Sequence, residues 1–81
     1  NSKKVELKVN DINHAQKILA GQGLHAIHNS NSTLEIEVDS EKQAASINRY
    51  LVEQGVDVYK LNYQEQNLED IFMTLTNDNN L

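Results

Sequence analysis

The spacing of apolar residues switches between two and three-to-four along this chain, and each switch marks an element. Val5, Leu7 and Val9 alternate with Glu6 and Lys8, so 4–9 reads as a half-buried strand. Asp11 is an expected N-cap. Ile12, Ala15, Ile18 and Leu19 then recur at helical spacing, and Gly21 and Gly23 end that helix. Residues 24–28 form a second strand with a weaker pattern. Asn29 to Ser32 is turn chemistry, and Leu34, Ile36 and Val38 alternate with Glu35 and Glu37 in a third strand, giving a hairpin. Ser40 opens the next helix with Gln43 three residues on, the spacing of a capping box. Ala44, Ile47 and Leu51 line its inner face, Val52 lies at the margin, and Gly55 closes it. Residues 56–63 read as a fourth strand, with Val56 and Val58 on one face and Tyr59, Leu61 and Tyr63 on the other.

The last apolar pattern is the strongest. Leu68, Ile71, Phe72 and Leu75 fall at i, i+3, i+4 and i+7, a single helical stripe, with Asn67 as N-cap and Glu69 and Asp70 in the first turn, where carboxylates meet the positive end of the helix dipole. Burying each such side chain is worth roughly 1.5–3 kcal/mol. That is large against the ~5–15 kcal/mol stability of a whole small domain, so the stripe must pack on something.

The order strand, helix, strand, strand, helix, strand requires two right-handed crossovers. Its compact solution is an α+β ferredoxin-like βαββαβ sandwich: a four-stranded antiparallel sheet with both helices on one face, plus an added C-terminal helix over 67–76. The expected layout is a flexible end at 1–3, one domain over 4–76, and a flexible polar tail at 77–81. Ile27, Tyr59, Leu61 and Tyr63 are expected to give the outer sheet face apolar character near the fourth strand, and the terminal stripe is expected to cover part of that face or edge.

Charge and composition narrow the function classes. The 81 residues carry net charge −5, which opposes binding to nucleic acid or anionic lipid. No apolar run approaches the ~20 residues of a membrane span, so no membrane insertion is expected. There is no cysteine, which excludes disulfides, thiolate metal sites and thiol nucleophiles and fits a reducing compartment. The abrupt start reads as a piece of a longer chain.

Candidate chemistry is thin. His25 and His28 are three apart on a strand and point to opposite faces, and His14 opens a helix, so zinc is not expected. Glu35, Glu37 and Asp39 form an acidic row whose simplest reading is a solvated face in cross-strand charge pairs with the strand carrying Glu6 and Lys8. Gly21-Gln22-Gly23 ends a helix, whereas a phosphate cradle opens one. The central strands lack the stacking aromatics of an RNA-recognition sheet. No catalytic, metal or cofactor-binding residue is assigned.

The segment Leu68-Glu69-Asp70-Ile71-Phe72-Met73-Thr74-Leu75-Thr76 resembles the terminal signature Leu-Glu-Asp-hydrophobic-Phe-x-x-Leu-Thr of ATP-binding subunits of ATP-binding cassette (ABC) exporters of the multidrug, antibiotic-resistance and sodium-export type. Gly23, the strand at 34–38, Gly55 and the strand at 56–58 also match the plan of that family's C-terminal region. The resemblance implies an accessory domain, regulatory or dimerising, of an ATPase subunit that docks on a membrane permease and drives transport. ATP and Mg would belong to the parent's ATPase domain. These residues contain no Gly-x-x-x-x-Gly-Lys-Ser/Thr loop, so the fragment itself is expected to hold no cofactor and to catalyse nothing. Leu68, Ile71, Phe72 and Leu75 are its expected packing or docking contacts. The parent ATPase domain, the permease and a second copy of the chain are the expected partners, and the expected location is the cytoplasmic side of the membrane. Two readings compete. A small-molecule sensor of the amino-acid-binding type would use the loop at Asn10 and Asp11, which lacks the glycine expected for close ligand approach. An acylphosphatase-type enzyme would need an arginine after the first strand, but the only arginine is Arg49.

Overall fold

The computed structural model describes residues 2–29 and 31–66. Within them the order is β1 (Ser2–Val9), α1 (Ile12–Gly21), β2 (Ala26–Asn29), β3 (Thr33–Glu37), α2 (Glu41–Glu53) and β4 (Val58–Gln66). The four strands form one sheet in the order β2-β3-β1-β4, with every neighbouring pair antiparallel. This is the ferredoxin-like α+β arrangement. The expected helix over 67–76, with Leu68, Ile71, Phe72 and Leu75, lies outside the described residues.

The helix ends are built as their sequences dictate. Asp11 Oδ1 accepts the His14 N–H at 3.1 Å, and Ser40 Oγ accepts the Gln43 N–H at 3.1 Å. The return half of the expected capping box is displaced by one residue, because Gln43 Oε1 accepts from the Asp39 N–H at 2.6 Å. Both helices end in the same paired geometry. Gly23 N–H donates to Ala20 O and Leu24 N–H to Leu19 O. Gly55 N–H donates to Val52 O and Val56 N–H to Leu51 O. Gly23 and Gly55 hold φ of 77° and 87°, the left-handed region that this C-terminal motif requires. The residue after each glycine folds back onto the last turn, so Val56 is buried ahead of β4 instead of opening it.

One side of the sheet is dry. Val5, Leu7 and Val9 of β1, Leu34 and Ile36 of β3, and Ala26 of β2 are buried against Ala15 and Leu19 of α1 and Ala44, Ile47 and Leu51 of α2. Both helices therefore cover this face, as their periodicity predicts. No polar or charged residue is buried among the described residues.

The fourth strand departs from expectation. Lys8 pairs with Lys60 and Val9 with Val58, so Tyr59 is an extra residue in a β-bulge. A bulge resets the alternation. Directly opposed residues share a face, and Leu61 pairs with Leu7 and Tyr63 with Val5. Leu61 and Tyr63 therefore lie on the helix-covered side with Val58, not opposite to it. Ile27 lies on β2, at the far edge from β4. Of the apolar residues expected on the outer face near the fourth strand, Leu61 and Tyr63 are thus moved to the helix side, and Tyr59 sits exposed in the bulge. At the other end of the pattern, β1 already starts at Ser2, two residues earlier than its apolar alternation shows.

Candidate interaction surface

With both helices on one side, the other sheet face is open, and its side chains follow from the register. One row across the sheet is Ile27, Glu35, Glu6 and Asn62. The next is Asn29, Thr33, Lys8 and Lys60. A third is Glu37, Lys4 and Gln64. Ile27, at 46% exposure, is the one large apolar residue in these three rows.

The charges on this face are segregated. Glu6 stands directly opposite Glu35, and Lys8 directly opposite Lys60. Opposed side chains sit about 5 Å apart at Cβ, where like charges oppose pairing. The expected cross-strand charge pairs from Glu6 and Lys8 do not form. Instead Lys4 Nζ reaches Glu35 Oε1 at 3.2 Å along the diagonal, the one ion pair among the described residues. The lysine pair has no carboxylate beside it in its row, and a shallow hollow lined by Glu6, Thr33, Asn31 and the two lysines lies against it.

The residues weighed for chemistry are spent on structure or solvent. Asn10 exchanges two hydrogen bonds with Asp57: its N–H donates to Asp57 O at 3.1 Å and its Oδ1 accepts from Asp57 N–H at 3.0 Å. With Asp11 capping α1, the loop proposed for a sensor ligand is already occupied by internal bonds. His25 precedes β2, His28 lies opposite Leu34, and His14 sits in the first turn of α1; all three are exposed. No group of three or more metal-ligating side chains is gathered among the described residues. The open groove between the helices is lined by Leu19, Leu24 and Ile47 and crossed at its rim by Gln22 Nε2 donating to Tyr50 Oη at 3.1 Å.

At the end of β4 the half-buried Tyr63 phenol donates to Glu65 Oε2 at 3.0 Å. Partial desolvation, then the bond to Glu65 and its charge, then the charge of Glu41, hold the phenol above the usual tyrosine value of 10.0.

Sequence reasoning missed the lysine pair, because it missed the bulge that sets Lys60 opposite Lys8. A signal exists: Val58 and Tyr59 are consecutive apolar residues at which the alternation changes phase, which is the mark of an inserted residue.

The fold is that of a small α+β module with no buried polar site among the described residues, and comparison with known families gives the class. The family described as ATP-binding protein DrrA1-3-like, C-terminal domain, matches residues 1–76. The chain belongs to that family and is a C-terminal domain of an ABC-type ATP-binding protein. No curated protein and no solved structure gave a significant match. No helix among the described residues is long and apolar enough to cross a membrane.

Proposed function

We propose that this domain is a non-catalytic accessory module that regulates or stabilises the pairing of ATP-binding subunits in an ABC exporter. Family membership supplies the parent ATP-binding protein. The observation that carries the reading is the open sheet face, where like-charged side chains stand opposite one another at a cost to the free domain. A surface kept in that state fits docking against complementary charge, the parent's ATPase domain or a second copy, better than it fits a solvated face.

In this reading Leu68, Ile71, Phe72 and Leu75 act as packing or docking contacts rather than as a ligand site. ATP and Mg stay with the parent's ATPase domain, whose permease holds the subunit at the inner face of the membrane. The test is made in the intact ATP-binding subunit, comparing the wild type with a Lys8→Glu, Lys60→Glu variant. Nucleotide affinity should be unchanged, while ATP-dependent subunit dimerisation, read by sedimentation, should fall several-fold. Unchanged dimerisation and unchanged ATPase rate would remove the proposal. Stabilisation of the isolated domain by a free amino acid in a thermal-shift screen would replace it with the sensor reading.

A further inference from the structure

We infer that the margin between α2 and the helix-facing side of β4 is the seat of this chain's own residues 67–76. The margin is apolar and incompletely covered. Among the described residues the exposed large hydrophobics are Ile27, Val52, Tyr59 and Leu61. The last three belong to α2 or β4. The groove toward α1 is lined by Gln43, Ser46, Tyr50 and Glu53 of α2. Helical periodicity then puts Glu41, Ala45, Asn48 and Val52 on the opposite flank, above β4. The bulge at Tyr59 turns Leu61 and Tyr63 toward that same flank. Without it they would face the open side.

The terminal stripe is the occupant that fits. The described part of β4 ends at Gln66, directly before the stripe. Along a strand, Tyr63 lies about 10 Å back from that point and Leu61 about 17 Å. Turned back after Asn67, a helix carries its stripe from Leu68 to Leu75 over about 10 Å. Ile71 and Phe72 then fall beside Ala45, and Leu75 comes level with Tyr63, about 7 Å short of Leu61 along the strand and on its side of the sheet. Tethering this closely gives an effective concentration of order millimolar, so a modest contact is enough to hold the segment. The choice of face follows from chemistry. From the bulge to Gln66, β4 presents only Lys60, Asn62 and Gln64 to the open side, which give an apolar stripe nothing to bury against. The placement stands whether or not the domain pairs ATP-binding subunits, and it leaves the charged face free.

The chain has no cysteine, so introduced thiols report without background. Leu61→Cys with Leu75→Cys is compared with Asn62→Cys with Leu75→Cys. Residues 61 and 62 are neighbours on one strand, nearly equally distant from the tether, and face opposite sides of the sheet. Each variant is treated at dilution with a short bismaleimide and read by intact mass and peptide mapping. The expected result is an intramolecular 61–75 link in several-fold excess over the 62–75 link. Equal or greater linking through residue 62, linking chiefly between chains, or no linking by either pair overturns the placement. If Leu61→Cys does not fold, Ala45→Cys with Phe72→Cys reads the same margin from the exposed flank of α2, against the same control.

Discussion

Replacing Lys60 with Glu should make this domain more stable, although the position is fully on the surface. Lys60 stands opposite Lys8 across the β1–β4 ladder. Two unit charges about 5 Å apart in water repel by about 0.8 kcal/mol. Reversing one sign removes that repulsion and replaces it with a similar attraction. The pair is exposed, and solvent and side-chain motion dilute both terms. The carboxylate of Glu6, diagonal to position 60 and lining the same hollow, opposes the change, so the expected net gain is about 0.5 kcal/mol, within the range for cross-strand pairs. Lys and Glu are similarly unfavourable in strands, so propensity contributes little to the difference. The Lys60→Gln control, which only removes the repulsion, should gain about half as much. In a domain of this size each 1 kcal/mol moves the melting temperature by about 4–8 °C, so urea and thermal unfolding in dilute buffer resolve the gain. The effect must also be electrostatic. In 1 M salt the screening length falls to about 3 Å, and the gain should shrink by more than half. A Lys60→Glu variant no more stable than the Gln control at low salt, or a gain indifferent to salt, would refute the reasoning and with it the register that sets the two lysines side by side. If the lysine pair is kept for docking, the stabilised variant should also be the weaker partner of its parent, the usual direction of trade between stability and function.

Three further outcomes test the core, the helix stop and the titration at β4. Leu51→Ala removes a fully buried side chain on the inner face of α2 and should cost about 2–5 kcal/mol in urea unfolding, whereas Lys42→Ala, exposed on the same helix, should stay within about 0.5 kcal/mol. Gly55→Ala meets no atom within 4 Å, so its cost is purely that of a Cβ at φ 87°, about 1–2 kcal/mol by the same assay. Tyr63 holds its proton longer folded than unfolded, because its folded value is raised. Its contribution is thus complete below about pH 10 and is lost as pH rises through the raised value. In a Tyr50→Phe, Tyr59→Phe background, tyrosinate absorbance should show Glu65→Gln lowering the Tyr63 midpoint, with part of the upward shift surviving from desolvation and Glu41.

What the sequence by itself determined here is everything set by local period and local backbone geometry. Alternation at Val5, Leu7 and Val9 and at Leu34 and Ile36 fixed two strands and their buried side. Spacing at Ala15 and Leu19 and at Ala44, Ile47 and Leu51 fixed the helices and the faces they bury. Asp11, Ser40, Gly23 and Gly55 fixed where each helix starts and stops, because caps and left-handed turns involve only neighbours in the chain. The handedness of strand–helix–strand crossovers then left one compact sandwich. Register between strands is different. It depends on which residues of two distant segments face each other, and a single inserted residue reverses every side chain that follows. The bulge at Tyr59 moved Leu61 and Tyr63 from the open side to the helix side, and in the same step set Lys60 beside Lys8. Neither the like-charge pairs nor the apolar margin beside α2 is encoded at any one position. The pairs arise only when β3 and β4 are laid on either side of β1, and the margin only when α2 is laid over β4, which is why the candidate surfaces were decided by the tertiary structure while the fold was already legible in the chain.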